Sequence, residues 1–165
     1  CKYSFGGVSG ITWANINFLK IGTDKSALNV KTLTDCATAL AKKDFSTKIT
    51  LDINAKNPES RDAAIAGFDY QVYYKDIMIG TGESANTSEI GVPAVGSTTI
   101  PADLHVSFKD IVDLKKPLTA VDNTLKFIKE ISKIGKNDTD FSVKIRPHLK
   151  VGKKTVKTAF IKLDL

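Results

Sequence analysis

The strongest constraint on this chain is a strict two-residue alternation of apolar and polar side chains that recurs along its length. Successive side chains of a strand point to opposite faces, so each such run predicts a strand with one buried and one wet face. In Lys48–Lys56, the residues Ile49, Leu51, Ile53 and Ala55 are apolar, while Lys48, Thr50, Asp52 and Asn54 are polar. From Thr98 to Phe108, Ile100, Ala102, Leu104, Val106 and Phe108 are set inward, and Asp103, His105 and Ser107 outward. From Phe141 to Val151, Phe141, Val143, Ile145, Leu149 and Val151 face in; Lys144, Arg146, His148 and Lys150 face out. Pro147 interrupts that run on its buried side, which predicts a sheet edge or a bulge, because proline cannot donate to a ladder.

Phe68, Tyr70, Val72 and Tyr74 alternate in the same way, and the phase changes after Lys75-Asp76 to Ile77 and Ile79. Residues Ala66–Gly82 therefore read as a hairpin with a short turn, with Tyr73 on the outer side. Gly152-Lys153-Lys154 marks a second hairpin, followed by a last strand from Val156 to Leu165 with Ala159, Ile161, Leu163 and Leu165 inward. Near the start, Ile11, Trp13, Ile16, Phe18 and Ile21 predict a strand with a bulge or kink. Two segments carry helical spacing. In Lys31–Lys43 the face is Leu33, Cys36, Ala37 and Leu40; in Thr119–Ile134 it is Val121, Leu125, Ile128 and Ile131 or Ser132. Thr119 is the expected N-cap of the second helix, with Asp122 at capping-box distance, and Gly135 its C-cap glycine. Several short strands separated by turns predict a mainly β, two-sheet sandwich with one or two accessory helices.

The 165 residues favour one domain. A domain near this size removes about 70% of its unfolded surface from water, so it needs neither metal nor disulfide scaffold. No apolar stretch approaches the roughly 20 residues that cross a bilayer as a helix. The net charge is +6, but Arg61 and Arg146 are the only arginines among 24 cations. Arginine is the usual residue for base and phosphate forks, so the lysines read as a solvated surface rather than a nucleic-acid site.

The two cysteines, Cys1 and Cys36, are too few for a disulfide framework or a zinc site. A chain that starts on cysteine matches the mature form of a bacterial lipoprotein, in which the first cysteine carries the lipid. Residues 1–10 are then expected to be a tether and 11–165 the folded domain, at the cell envelope, held to the membrane through lipid on Cys1. Several acyl chains on one cysteine would give a stable anchor. Cys36, on an apolar helix face, reads as a small buried hydrophobe. A Cys1–Cys36 disulfide stays open if Cys1 carries no lipid.

No constellation for chemistry stands out. His105 and His148 lie far apart in sequence, each on the polar face of its own strand, and read as exposed rather than as metal ligands. Ser9 lacks the spaced glycines of a nucleophile elbow, and Gly80-Thr81-Gly82 is not followed by the Gly-Lys-Ser/Thr of a phosphate loop. The acids Asp62, Asp69, Asp76 and Glu83 are placed on loops, and a two-carboxylate glycosidase site would need two of them at a defined gap. No catalytic, cofactor-binding or metal-ligating residue is expected, and no cofactor.

The middle of the chain carries a more specific pattern. It runs Ile53-Asn54-Ala55-Lys56-Asn57-Pro58, then Ile65-Ala66-Gly67-Phe68-Asp69-Tyr70-Gln71-Val72-Tyr73-Tyr74, Ile79-Gly80-Thr81-Gly82, Ile90-Gly91-Val92-Pro93-Ala94 and Ser97-Thr98-Thr99-Ile100-Pro101. This resembles the LEA14-like family, also called the water-stress and hypersensitive-response domain, over about Thr47–Phe108, with Asp140–Leu165 similar to its closing strands. The resemblance implies an immunoglobulin- or fibronectin III-like sandwich, a link to stress tolerance, and no enzymatic site. Asn57, Pro58, Gly67, Tyr70, Gly82 and Pro93 are the fold-motif residues it implies. Asn57 is expected to bond its own backbone two residues on, with Pro58 fixing φ, and Gly67 and Gly82 to adopt conformations closed to other residues. An apparent helix in Thr23–Asp44 departs from the family pattern. The expected role is non-catalytic: binding or stabilising an envelope protein or glycan, or stress protection. A carbohydrate- or solute-binding module and a cell-wall-acting enzyme are the alternatives.

Overall fold

The computed structural model describes residues 1–21, 29–112, 117–136 and 138–165. Nine strands and three helices follow in the order β1 (Lys2–Trp13), β2 (Ile16–Asn17), α1 (Phe18–Ile21), α2 (Val30–Ala41), β3 (Ser46–Lys56), β4 (Ala63–Tyr74), β5 (Ile77–Val92), β6 (Ser97–Ser107), α3 (Pro117–Ser132), β7 (Phe141–Val151), β8 (Lys154–Lys157) and β9 (Ile161–Leu163) among the described residues. One sheet has the order β2-β1-β3-β6. The other runs β5-β4-β7-β8, with β9 also paired to β7. The fold is mainly β, a two-sheet sandwich with few helices.

The alternation decides the core. Ile49, Leu51, Ile53 and Ala55 of β3 meet Ile100, Ala102, Leu104 and Val106 of β6 in one sheet, and Phe68, Tyr70, Val72, Val143 and Ile145 supply the facing layer. Burying a large aliphatic or aromatic side chain contributes about 1.5–3 kcal/mol, so this two-sided layer is the main source of stability. Phe127 of α3 extends it, standing edge-on to Tyr74 at 4.9 Å and stacked on Phe108 at 5.7 Å between ring centroids.

Several expectations change. Residues 1–10 are not a tether: Lys2–Trp13 is one strand paired to β3 from Lys2↔Lys56 to Thr12↔Lys48. The kink expected in Ile11–Ile21 is a full reversal. Ala14 and Asn15, both at positive φ, form a two-residue turn into β2, after which Phe18 begins α1 and stacks on Trp13. Positive φ at both central residues is the turn geometry that matches strand twist.

In α2 the cap is Asn29, whose side chain accepts the Thr32 N–H at 2.8 Å. Its buried positions are Cys36 and Ala39 while Ala37 is exposed, so the inward stripe is rotated from the one expected. Of the Thr23–Asp44 departure, residues 22–28 lie outside the described residues. Helix α3 starts at Pro117, the first-turn position that suits proline, so Thr119 lies inside the helix rather than at its cap. Gly135 follows the helix at φ +85°, where an added Cβ would meet the Phe5 ring at 2.6 Å.

Gly67 and Gly82 are absent from the positive-φ residues, which corrects their expected role. At Gly82 the constraint is space: a Cβ would sit 3.0 Å from the Tyr70 hydroxyl. Strand β7 is not an edge, since β4 flanks it on one side and β8 and β9 on the other. The bulge lies on β4, where Ala66 is skipped between Ile65↔Leu149 and Gly67↔His148. Pro147 faces the break between β8 and β9, where its carbonyl accepts the Thr158 N–H at 3.1 Å. A strand residue's N–H and C=O point the same way, so its missing donor falls where no ladder needs it. The last strand is likewise two pieces, with Leu163 buried and Ala159 exposed.

Candidate functional site

The fold concentrates polar side chains on the outer face of the β5-β4-β7-β8 sheet. Residues directly opposite in an antiparallel ladder share a face. The register pairs Asp69 with Glu83 on one side and Arg146 on the other, and His148 with Gly67 and Lys157. Glycine at position 67 puts no side chain beside His148, whose imidazole is buried although it projects from the outer face.

Asp69 is the hub. Its Oδ2 accepts from Arg146 Nη2 at 2.5 Å and Arg146 Nε at 2.8 Å, a two-nitrogen grip, and from Lys157 Nζ at 3.2 Å. His148 Nε2 lies 2.9 Å from Asp69 Oδ1 but off the line of a hydrogen bond, and its Nδ1 is 3.8 Å from Glu83 Oε1. Burial alone would raise the Asp69 carboxyl, but hydrogen bonds from Arg146 and Lys157 and the nearby His148 outweigh it and hold the group below the ordinary carboxylate range. The Arg146 guanidinium is covered by the Phe160 ring at 4.7 Å, a cation–π contact. Lys144 stands over Tyr73 at 5.6 Å, beyond this cluster.

The two histidines are thus unalike. His105 is exposed on β6 of the other sheet, as its polar-face position predicts, whereas His148 is buried. The four acids are not a loop cluster. Asp69 and Glu83 are cross-strand partners, Asp62 accepts the Ala94 N–H at 2.8 Å, and Asp76 sits in the β4–β5 turn. Among the described residues, no group of three His, Cys, Asp or Glu side chains is placed to hold a metal ion.

The fold-motif residues fall in two places. Gly67, Tyr70 and Gly82 are on β4 and β5, where Tyr70 is buried. Asn57, Pro58 and Pro93 lie at the end of the sandwich that also carries Cys1. Buried Asn57 accepts the Glu59 N–H at 3.1 Å, donates from Nδ2 to Arg61 O at 2.7 Å and Val92 O at 3.3 Å, and its backbone N–H bonds Gly96 O at 2.8 Å. Half-buried Cys1 lines an open hollow with Asn57, Glu59, Arg61, Lys150 and Val151. Neither cysteine is in a disulfide.

Sequence reasoning placed Arg146 and His148 on the polar face of a strand and Asp69 among loop acids, and missed that the three meet. The available signal was the alternation itself, which puts a cationic outer row on β7; the register that sets Asp69 beside Arg146 is not written locally.

The polar cluster of this two-sheet sandwich is an internally paired clamp, with Asp69 held by Arg146 and Lys157. A family model described as late embryogenesis abundant protein (LEA_2) matches residues 52–164, more than half of the chain, and the chain belongs to this family, a stress-related and non-enzymatic one. No curated protein matches it. Among solved structures it is similar to a protein from Archaeoglobus fulgidus, at 14% identity over 72% of this chain and 83% of that one, with a TM-score of 0.43. A protein from Arabidopsis thaliana solved in solution matches at 14% identity over 73% and 71%, TM-score 0.36. A beta-glucuronidase from glycoside hydrolase family 2 matches at 12% identity over 72% of this chain but 10% of that enzyme, TM-score 0.35.

Proposed function

We propose that this is a non-catalytic, stress-related domain of the cell envelope, attached through an acyl group on Cys1, that works by binding or stabilising another envelope component. The observation that carries the non-catalytic reading is the state of Asp69. The most buried carboxylate of the polar cluster is already gripped by Arg146 and Lys157, so it is neither a free base nor a proton donor near neutral pH. An attachment at Cys1 fits its half-buried position at the loop end of the sandwich, beside the hollow. A solute-binding reading finds less support: Trp13 is fully buried in the core, and Tyr73 stands on the outer face of the sheet.

The test is the intact mass of the protein taken from its native membrane. A mass increase matching acyl chains on Cys1, with partition into detergent, is the expected result. An unmodified chain in the aqueous phase would overturn the attachment.

A further inference from the structure

The end of the sandwich that carries Cys1 combines three features that folding alone does not explain. Val95 is 76% exposed and Val151 63% exposed, each at the tip or flank of a turn. Val95 also has φ +50°, a left-handed conformation that is costly for a β-branched residue. It is held there firmly: its N–H donates to Glu59 O at 2.9 Å, Gly96 N–H to Pro93 O at 3.0 Å, Asn57 N–H to Gly96 O at 2.8 Å and Ala94 N–H to Asp62 Oδ1 at 2.8 Å. Such strain persists only where the surrounding structure over-determines it, as these bonds do.

The third feature is charge. Lys2 and Lys56 are direct cross-strand partners, an arrangement of like charges that weakens a sheet. Arg61 borders the Cys1 hollow, and Lys153 and Lys154 follow Gly152 in the hairpin that begins at Val151. All five are exposed, and among the described residues none makes a salt bridge. The acids at this end are Glu59, Asp62, which bonds Ala94, and Glu89, which pairs with Lys150 at 3.3 Å.

We infer that this end docks on an anionic lipid surface, with Val95 and Val151 entering the headgroup region and Lys2, Lys56, Arg61, Lys153 and Lys154 lying against the phosphates. Apolar tips ringed by lysines fit a bilayer boundary, where each cation near an anionic surface adds to binding. A nucleic acid would call for aromatic stacking platforms, and the side chains at these tips are aliphatic. The inference deepens the envelope reading, since an acyl group on Cys1 would hold this same end at the bilayer. It does not require the acyl group.

The experiment therefore uses the full chain with Cys1→Ser, sedimented with vesicles of phosphatidylcholine alone or in equal mixture with phosphatidylglycerol. Binding is expected only to the mixed vesicles, and to weaken as salt rises. Lys153→Glu with Lys154→Glu should cost more than about tenfold in affinity. Lys126→Glu with Lys129→Glu on exposed α3 positions changes net charge equally and should leave binding intact. Val95→Gly should weaken vesicle binding while raising the melting temperature, which separates lost docking from lost folding. Four results would overturn the inference: no binding to mixed vesicles, equal binding to both kinds, equal loss from both charge-reversal pairs, or tighter binding to a single-stranded oligonucleotide unaffected by Val95→Gly. Failure of the vesicle assay leaves the Cys1 mass measurement to stand or fall by itself.

Discussion

The phenol oxygen of Tyr70, on β4 of one sheet, accepts the backbone N–H of His105, on β6 of the other, at 3.0 Å. Strand β6 is the open edge of its sheet, and an open edge presents unpaired N–H groups. Here two outward donors find acceptors and one position has no donor at all. Pro101 has none, Asp103 N–H donates to Ser84 Oγ at 3.0 Å, and His105 N–H donates to Tyr70. Glycines opposite Tyr70 and Val72 let β5 come close enough for this: a Cβ on Gly80 would collide with the His105 carbonyl oxygen.

Tyr70→Phe is expected to destabilise by about 1–3 kcal/mol, because it leaves the His105 N–H without its acceptor. Gly80→Ala should cost at least as much, since the obstacle is backbone rather than a side chain that can move. Urea unfolding of both variants measures this; an unchanged midpoint for Gly80→Ala would contradict the close approach of β5 to β6.

Asp69 predicts a pH dependence with a definite sign. Its folded carboxyl ionises below the ordinary value, so the native state binds this proton less readily than the unfolded chain does. The stability it contributes is complete above the usual carboxylate range and is lost as pH falls through the depressed folded value. Asp69→Asn should therefore lower stability by about 2 kcal/mol near neutral pH and flatten the decline on the acid side. Melting curves between neutral pH and the acid limb check it; parallel curves for the two proteins would remove Asp69 from the linkage.

Tyr3 points the other way. Among the described residues its hydroxyl is buried without a hydrogen-bond partner, and burial pushes its pKa up to about 12. Its ring meets Phe68 edge-on at 6.1 Å, a contact that phenylalanine would keep. Tyr3→Phe is expected to be neutral or to stabilise by up to about 1 kcal/mol, since it removes an unsatisfied polar group. A clear loss in calorimetry would mean that the hydroxyl has a partner.

The two thiols should differ in reactivity. Cys36 is fully buried, and that burial, with Asp35 nearby, raises its pKa to about 11, so the reactive thiolate is scarce. In the unacylated chain a thiol reagent is expected to label half-buried Cys1 quickly and Cys36 only on unfolding. Rapid labelling of both in the native state would refute the packing of α2.

Much of this protein was settled by local rules in the sequence. A period of two decides that Ile49, Leu51 and Ile53, or Ile100, Leu104 and Val106, share a face, because side chains of adjacent strand residues must point oppositely. The Asn57 turn is equally local where its side chain accepts the Glu59 N–H, although the same side chain also donates to the distant Val92 O. The tertiary structure decided what depends on partners distant in sequence. His148 sits on a polar face and is nonetheless buried, because the register brings Gly67, Asp69 and Lys157 around it. The buried stripe of α2 centres on Cys36 and Ala39 rather than Ala37, because the elements it packs against set its rotation. The Tyr70–His105 bond, the approach of Gly80 to β6 and the strained Val95 bonded to Glu59 all join elements through register and loop contacts, which no short stretch of sequence encodes.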